Sequence, residues 1–143
     1  MDTEDWPRQP CPGSTRARLS CEVANLGDLR ILRRRLRDWI SGAVAVAGPD
    51  SAVADSLVLI VDELMSNGLR HGRAPVRLHA VRTGEGLLVQ VSDGNVMDAP
   101  TPAIGRDPAL GGMGLRIVAN LTTTRGWDVT DGRKHVWAHL RTG

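Results

Sequence analysis

Residues 76–91 read Val76-Arg-Leu-His-Ala-Val-Arg-Thr-Gly-Glu-Gly-Leu-Leu-Val-Gln-Val91. Every second residue from Val76 to Ala80 is apolar, which is typical of a strand with one buried face. The run Thr83-Gly84-Glu85-Gly86 predicts a turn, and the apolar residues Leu87 to Val91 predict a strand that returns beside the first. The stretch therefore predicts an antiparallel hairpin, which favours a sheet built from hairpins over one built from parallel strands.

Two helices are predicted before this hairpin. The first begins at Asn25 or Asp28, either of which is a suitable N-cap, and ends before Gly48-Pro49. Its apolar residues recur every three or four positions and form one stripe: Leu29, Leu32, Leu36, Trp39, Ile40 and Ala43. The second begins at Asp50 or Ser51 and runs to about Arg70, with Gly72 as the end signal. Its stripe comprises Val53, Leu57, Ile60, Val61 and Leu64.

The remaining elements complete an α+β pattern. Alternation over Arg16–Val23 predicts a first strand, Gly112 to about Thr123 predicts a third helix, and residues 94–111 predict an irregular loop. Two last strands, near 127–130 and 134–141, are joined by Asp131-Gly132, a hairpin turn signal. This order predicts a two-layer α/β sandwich with a mostly antiparallel sheet of about five strands and three helices on one face.

Length and composition bound the class of protein. A chain of 143 residues with 41% hydrophobic residues fits one domain, predicted over 16–143 after a disordered, proline-rich tail over 1–15. A net charge of +2 and the absence of Phe and Tyr disfavour direct nucleic-acid binding. No apolar run reaches the ~20 residues of a membrane span. The acidic N-terminus does not resemble a signal peptide, so the expected location is cytoplasmic.

Three polar residues stand four positions apart on the second helix. Glu63, Asn67 and His71 form one slanting row, and Asn67 falls beside the apolar stripe. An amide oxygen there is a ligand that Mg²⁺ accepts, and Glu63 could orient or deprotonate a hydroxyl group. Spacing alone favours a solvated helix edge instead. Zinc is disfavoured because it would need Asn67 together with His71, and Asn is a poor zinc ligand.

Two glycine-containing segments are candidates for ligand contacts. Asp93-Gly94-Asn95 follows a strand, and its carboxylate could accept a hydrogen bond from an adenine amine, although the segment taken alone favours an ordinary turn. The run Gly111-Gly112-Met113-Gly114-Leu115 opens the third helix, where backbone N–H groups could cradle an anion. It lacks the Lys-Ser or Lys-Thr of a P-loop, and a flexible connector or a lid hinge remains an alternative.

Taken in order, the three motifs resemble a known superfamily. Glu63-Leu-Met-Ser-Asn67-Gly-Leu-Arg-His71-Gly72 resembles the N-box of GHKL ATPases and kinases, and the segments at Asp93 and at Gly112 resemble their two glycine boxes. The sequence is most similar to small, stand-alone bacterial anti-sigma factor serine/threonine-protein kinases. This resemblance implies the Bergerat ATP-binding sandwich.

The resemblance also implies roles. Asn67 would bind Mg²⁺ on the phosphates of ATP, Glu63 would be the general base, and Asp93 would bind the adenine amine. The segments flanking Asp93 and Gly112 would complete the nucleotide site, with His71, Gly94, Asn95, Gly111, Met113, Gly114 and Leu115 as further contacts. The implied partners are a STAS-type anti-sigma-factor antagonist, as the phosphorylated substrate, and a sigma factor.

Two alternatives to the kinase stay open. In the first, the chain binds a sigma factor or another regulator in an ATP-dependent way with little turnover. In the second, it binds no nucleotide, because Asn95 and Met97 depart from the Asp-x-Gly-x-Gly form of the first glycine box. His135 also occupies a place where many relatives have Thr. Separately from these functions, the chain could form a homodimer.

Overall fold

A computed structural model describes residues 6–11, 18–44, 51–83, 86–97 and 122–141. In chain order the elements are β1 (Arg18–Val23), a 3-10 turn (Leu26–Asp28), α1 (Leu29–Val44), α2 (Ser51–His71), β2 (Val76–Arg82), β3 (Gly86–Asp93), β4 (Thr124–Thr130) and β5 (Arg133–Arg141). The strand and helix types over these ranges are those that the sequence predicts, with strand ends that differ by up to three residues.

The five described strands form one antiparallel sheet in the order β1-β2-β3-β5-β4. The predicted hairpin of β2 and β3 is confirmed, with Leu78 opposite Val91. The β4–β5 hairpin turns at Asp131 and Gly132, whose φ angles of 52° and 72° suit a two-residue turn with left-handed residues. The predicted α+β two-layer sandwich is therefore confirmed.

Both described helices pack on one face of the sheet and share its core. From α1 the core takes Leu29, Leu32, Leu36 and Ile40, and from α2 it takes Leu57, Ile60, Val61, Leu64 and Met65. These residues recur at three- and four-residue steps, so each helix buries one stripe. The sheet contributes alternate residues such as Val76, Leu78 and Ala80. Asn25 caps the 3-10 turn that leads into α1. Its Oδ1 accepts a hydrogen bond from the Asp28 N–H at 3.2 Å.

Residues 6–11 have defined contacts, whereas the sequence predicts a disordered tail over 1–15. Gln9 N–H donates to the Trp127 carbonyl at 3.0 Å, and Trp127 N–H donates to the Pro7 carbonyl at 3.1 Å. Trp6 is buried in the core. Proline does not prevent this arrangement because an edge strand accepts a partner that lacks some N–H groups. Ordering this segment costs conformational entropy, and burial of the apolar Trp6 side chain offsets part of that cost.

The predicted third helix lies outside the described residues, apart from Thr122 and Thr123, which are not helical. The glycine run Gly111–Leu115 lies outside them entirely. The described part of the predicted ligand site therefore consists of the end of α2 and the strand ends beneath it.

Candidate functional site

The C-terminal end of α2 lies directly on the ends of β2 and β3. A Cβ atom on Gly68 would stand 3.1 Å from Val76 Cγ1 and 3.7 Å from Val91 Cγ1, so the helix backbone approaches the sheet closely at this residue. Gly68 immediately follows Asn67 in the predicted N-box. The small residue therefore lets the last turns of α2 lie close to β2 and β3.

Gly72 makes the closest of these approaches. A Cβ atom at this position would stand 2.6 Å from Asp93 Oδ2, nearer than real Cβ contacts occur. The sequence predicts Gly72 only as a helix end. Because glycine has no side chain, the Asp93 carboxylate fits against Gly72. The segment resembling the N-box therefore contacts the segment resembling the first glycine box.

Asp93 is the last residue of β3, and its side chain accepts from the Asn95 N–H as in an ordinary Asx-turn, so the turn alternative stays open. Only 2% of its surface is exposed. Its Oδ1 accepts hydrogen bonds from Asn95 N–H at 2.7 Å and from Arg73 N–H at 3.4 Å. Oδ2 lies 3.6 Å from Lys134 Nζ, on the neighbouring residue of β5. The pairing of β3 with β5 extends to Asp93, and this extension buries the carboxylate.

The segment after Asp93 is attached to the end of α2. Asn95 Nδ2 donates to the His71 carbonyl at 2.9 Å, and Asn95 Oδ1 accepts from Met97 N–H at 3.2 Å. Gly94 N–H donates to the Arg73 carbonyl at 2.9 Å. Asn95, which departs from the superfamily pattern, thus connects the two motifs through its side chain. Its amide supplies both a donor and an acceptor, which a glycine side chain cannot.

The polar row on α2 has mixed exposure. Glu63 and Asn67 are half-buried, and His71, at the end of the helix, is exposed. Burial raises the pKa of the Glu63 carboxyl above its ordinary value, and neighbouring Asp62 raises it further, while Arg70 partly opposes both. A half-buried carboxyl with a raised pKa is suited to proton transfer.

Cations near Asp93 are functional candidates that the sequence analysis did not identify. Arg133 Nη2 donates to the carbonyls of Pro75 and Ser92, at 2.8 and 2.9 Å. Lys134 is 97% buried beside Asp93. Lys134 is the only lysine in the chain, and it alternates with Val136 and Ala138 on the buried face of β5. The sequence signal is a lysine at a position where the alternation of β5 predicts a buried residue, because a buried charge needs a partner.

Among the described residues, no group of three or more His, Cys, Asp and Glu side chains could hold a metal ion. This absence does not test Asn67, whose expected Mg²⁺ would also be held by phosphate oxygens.

The sequence profile of the histidine kinase-like ATPase domain matches residues 23–140. This chain belongs to the histidine kinase-like ATPase domain family. No curated protein matches it significantly. The match begins at the last residue of β1 and ends one residue before the end of β5, so it includes both described helices and the strands from β2 onward. None of the described helices has the length and apolar character that crossing a membrane requires.

Family membership implies ATP as the ligand, and the described residues fit its base. A carboxylate has about four lone-pair positions, and the backbone donors that reach Asp93 use Oδ1. Oδ2 can therefore accept a hydrogen bond from an amine. Gly72 beside it removes side-chain obstruction at the same carboxylate. His71, Gly94 and Asn95 lie in the same cluster, whereas Gly111, Gly112, Met113, Gly114 and Leu115 are outside the described residues.

Proposed function

We propose that this chain is a Mg·ATP-dependent serine/threonine-protein kinase of the anti-sigma factor type. One observation carries the proposal, namely the contact of Asp93 with Gly72 at the end of α2. Through this contact a carboxylate suited to an adenine amine lies at the end of the helix that carries Glu63 and Asn67. Membership of the ATPase domain family supports ATP as the ligand.

Each end of the ligand has residues suited to it. Bound Mg·ATP supplies the phosphoryl group and the metal charge that neutralises it. Asp93 would hold the base and Asn67 would provide an oxygen for Mg²⁺. The glycine run Gly111–Leu115 lies outside the described residues and is assigned to the phosphates by its sequence alone. Catalysis of phosphoryl transfer consists mainly of positioning the reactants and neutralising charge, and these residues are of the types that can do both.

Glu63 acts as the general base in this proposal. It would accept the proton of the serine or threonine hydroxyl as that oxygen bonds to the γ-phosphorus of ATP, while the bond between this phosphorus and ADP breaks and ADP leaves. Its raised pKa supports the role, because a carboxylate whose pKa lies nearer neutrality takes up a proton more readily. The proposed substrate is a STAS-type anti-sigma-factor antagonist, a partner that comes from the family resemblance alone.

Phosphate transfer to the antagonist tests this proposal. The purified chain, radiolabelled Mg·ATP and a candidate antagonist should yield labelled antagonist. Glu63→Gln should bind ATP with unchanged affinity and lose transfer by about 100-fold or more. Glu22→Gln is the matched control, since Glu22 is exposed on β1 and pairs with Arg77 at 2.8 Å. Undiminished transfer by Glu63→Gln would remove Glu63 as the base.

A second candidate is an ATP-dependent protein-binding module. The surface of α1 favours it, because Ile31 is 65% exposed beside the exposed Arg30, Arg34 and Arg35. An apolar side chain among exposed arginines suits an acidic protein partner such as a sigma factor. A stable complex that requires ATP and contains no phosphoprotein would select this candidate over the kinase.

A further inference from the structure

Lys134 is a buried cation next to the carboxylate proposed to bind adenine. It lies opposite Asp93 in the β3–β5 register, and only 3% of it is exposed. A buried ammonium group is costly unless it is paired and hydrogen-bonded. The one lysine of a chain that otherwise uses arginine stands at this position.

The two charged groups form an ion pair that is longer than a direct hydrogen bond. Lys134 Nζ and Asp93 Oδ2 are 3.6 Å apart, beyond the 2.7–2.9 Å range typical of charge-assisted hydrogen bonds. Oδ1 is already engaged by the Asn95 N–H at 2.7 Å. Oδ2 and the ammonium therefore offer an acceptor and a donor side by side. A ligand edge with an adjacent donor and acceptor can bind to both.

The Watson–Crick edge of adenine has this pattern, with the N6 amine as donor and N1 as acceptor. We propose that Lys134 is a base-positioning residue of the ATP site, donating a hydrogen bond to N1 while Asp93 Oδ2 accepts one from N6. This inference rests on the proposed function, since it requires adenine at Asp93. An ammonium has three N–H donors, so Lys134 can keep its other contacts at the same time.

The pair fixes how the base is held and does not choose between purines. Guanine presents an acceptor at O6 next to a donor at N1, and it matches the same two groups. Lys134 adds a second point of attachment. Two hydrogen bonds to charged groups define the orientation of the adenine ring. With the single hydrogen bond to Asp93, the ring could still rotate about that bond.

Nucleotide analogues test each attachment separately on the full chain. 1-Deaza-ATP replaces N1 by C–H and keeps the N6 amine. Purine riboside triphosphate lacks the amine and keeps N1. Calorimetry on the wild-type chain should show both analogues binding about ten- to a hundred-fold more weakly than ATP, the effect expected of one hydrogen bond to a charged group.

Lys134→Met separates positioning from a purely structural role. It should lose the preference for ATP over 1-deaza-ATP and keep the preference for ATP over purine riboside triphosphate. If this variant does not fold, Lys134→Arg, which keeps a donor, provides a second variant that should retain discrimination at N1, and the wild-type comparison can still overturn the role.

Different outcomes reject the role of Lys134 and the proposed function. Equal binding of ATP and 1-deaza-ATP by the wild-type chain would overturn the role of Lys134 and leave ATP binding intact. A preference for ATP over 1-deaza-ATP that survives in Lys134→Met would also overturn it. No binding of Mg·ATP by the wild-type chain would instead reject the proposed function.

Discussion

Two parts of the site are built differently. Around Asp93, the side chains are held by the protein: Asp93 and Lys134 are 2% and 3% exposed and form an ion pair at 3.6 Å, and Asn95 connects β3 to the His71 carbonyl. Along α2, Glu63 and Asn67 are only half-buried. The Asp93 part is organised by the protein itself. The α2 part has side chains at its border that a bound ligand can still engage.

In the proposed function, the Asp93 part would fix the base and the α2 part would handle the phosphates. Groups that must hold one orientation are best locked by packing and further hydrogen bonds. Groups that bind a metal or move a proton must stay accessible to the ligand. We therefore expect substitutions around Asp93 to change both stability and affinity, and substitutions along α2 to change chemistry with little effect on stability.

The largest loss of stability is expected for Asp93→Ala. It leaves the Lys134 ammonium buried without its carboxylate, and removing one partner of a buried pair costs about 3–5 kcal/mol. Urea unfolding of the variant and the wild type measures this. Asp55→Ala is the control, because Asp55 pairs with Arg37 at an exposed site where ion pairs contribute ~0–1 kcal/mol.

If Asp93→Ala loses no more stability than Asp55→Ala, the Asp93–Lys134 ion pair does not stabilise the residues around Asp93. Asp93→Asn keeps the shape of the side chain and tests affinity with less damage to the fold. We expect it to weaken ATP binding by about ten-fold or more, the scale of a hydrogen bond to a charged group.

Gly72→Ala should follow, with a loss of about 1–3 kcal/mol from overpacking. Its methyl group would stand 2.6 Å from Asp93 Oδ2, so the carboxylate or the helix end must move. ATP affinity should fall with stability. Gly42→Ala on α1 is the matched control, since nothing lies within 4 Å of its Cβ position. That change should stabilise α1 slightly, as alanine favours helices over glycine. Equal stabilities for the two variants would contradict the close contact.

The strands, the two described helices and the order of the motifs are predictable from the sequence, because these depend on local periodicity and turn residues. Contacts between distant residues are not predictable in the same way. The sequence indicates Gly72 only as a helix end, yet it also receives Asp93, 21 positions later. Asn95 departs from the motif of its superfamily, although its amide connects that motif to α2. Both roles depend on tertiary packing.

Asn95→Ala should have a smaller effect, about 1 kcal/mol, because its side chain makes hydrogen bonds at a partly exposed site. The backbone N–H of residue 95 can still donate to Asp93 Oδ1. Thermal unfolding and calorimetry with ATP measure stability and affinity together. An unchanged melting temperature with unchanged affinity would show that the connection to α2 is dispensable.

Glu63→Gln should have the smallest effect on stability, and of the opposite sign. Burial raises the pKa of Glu63 in the folded state, so the folded chain binds this proton more tightly than the unfolded chain. The contribution of Glu63 to stability therefore falls as the pH rises from the unfolded pKa through the raised folded pKa. Above that window a neutral amide avoids the cost of the buried charge.

Unfolding measured as a function of pH checks this sign. The difference in stability between Glu63→Gln and the wild type should move in favour of the variant as the pH rises through the window. A difference that moves the other way would mean that the Glu63 carboxylate is stabilised in the folded chain, which would weaken its assignment as a base.

The end of α2 and the end of β3 are proposed to bind one nucleotide together. The sharpest test is a Mg·ATP titration of the ¹⁵N-labelled chain, followed by NMR. We predict that amide signals from Asn67 to His71 and from Asp93 to Asn95 shift with a single dissociation constant. Shifts confined to one of these segments, or two different dissociation constants, would contradict the shared site.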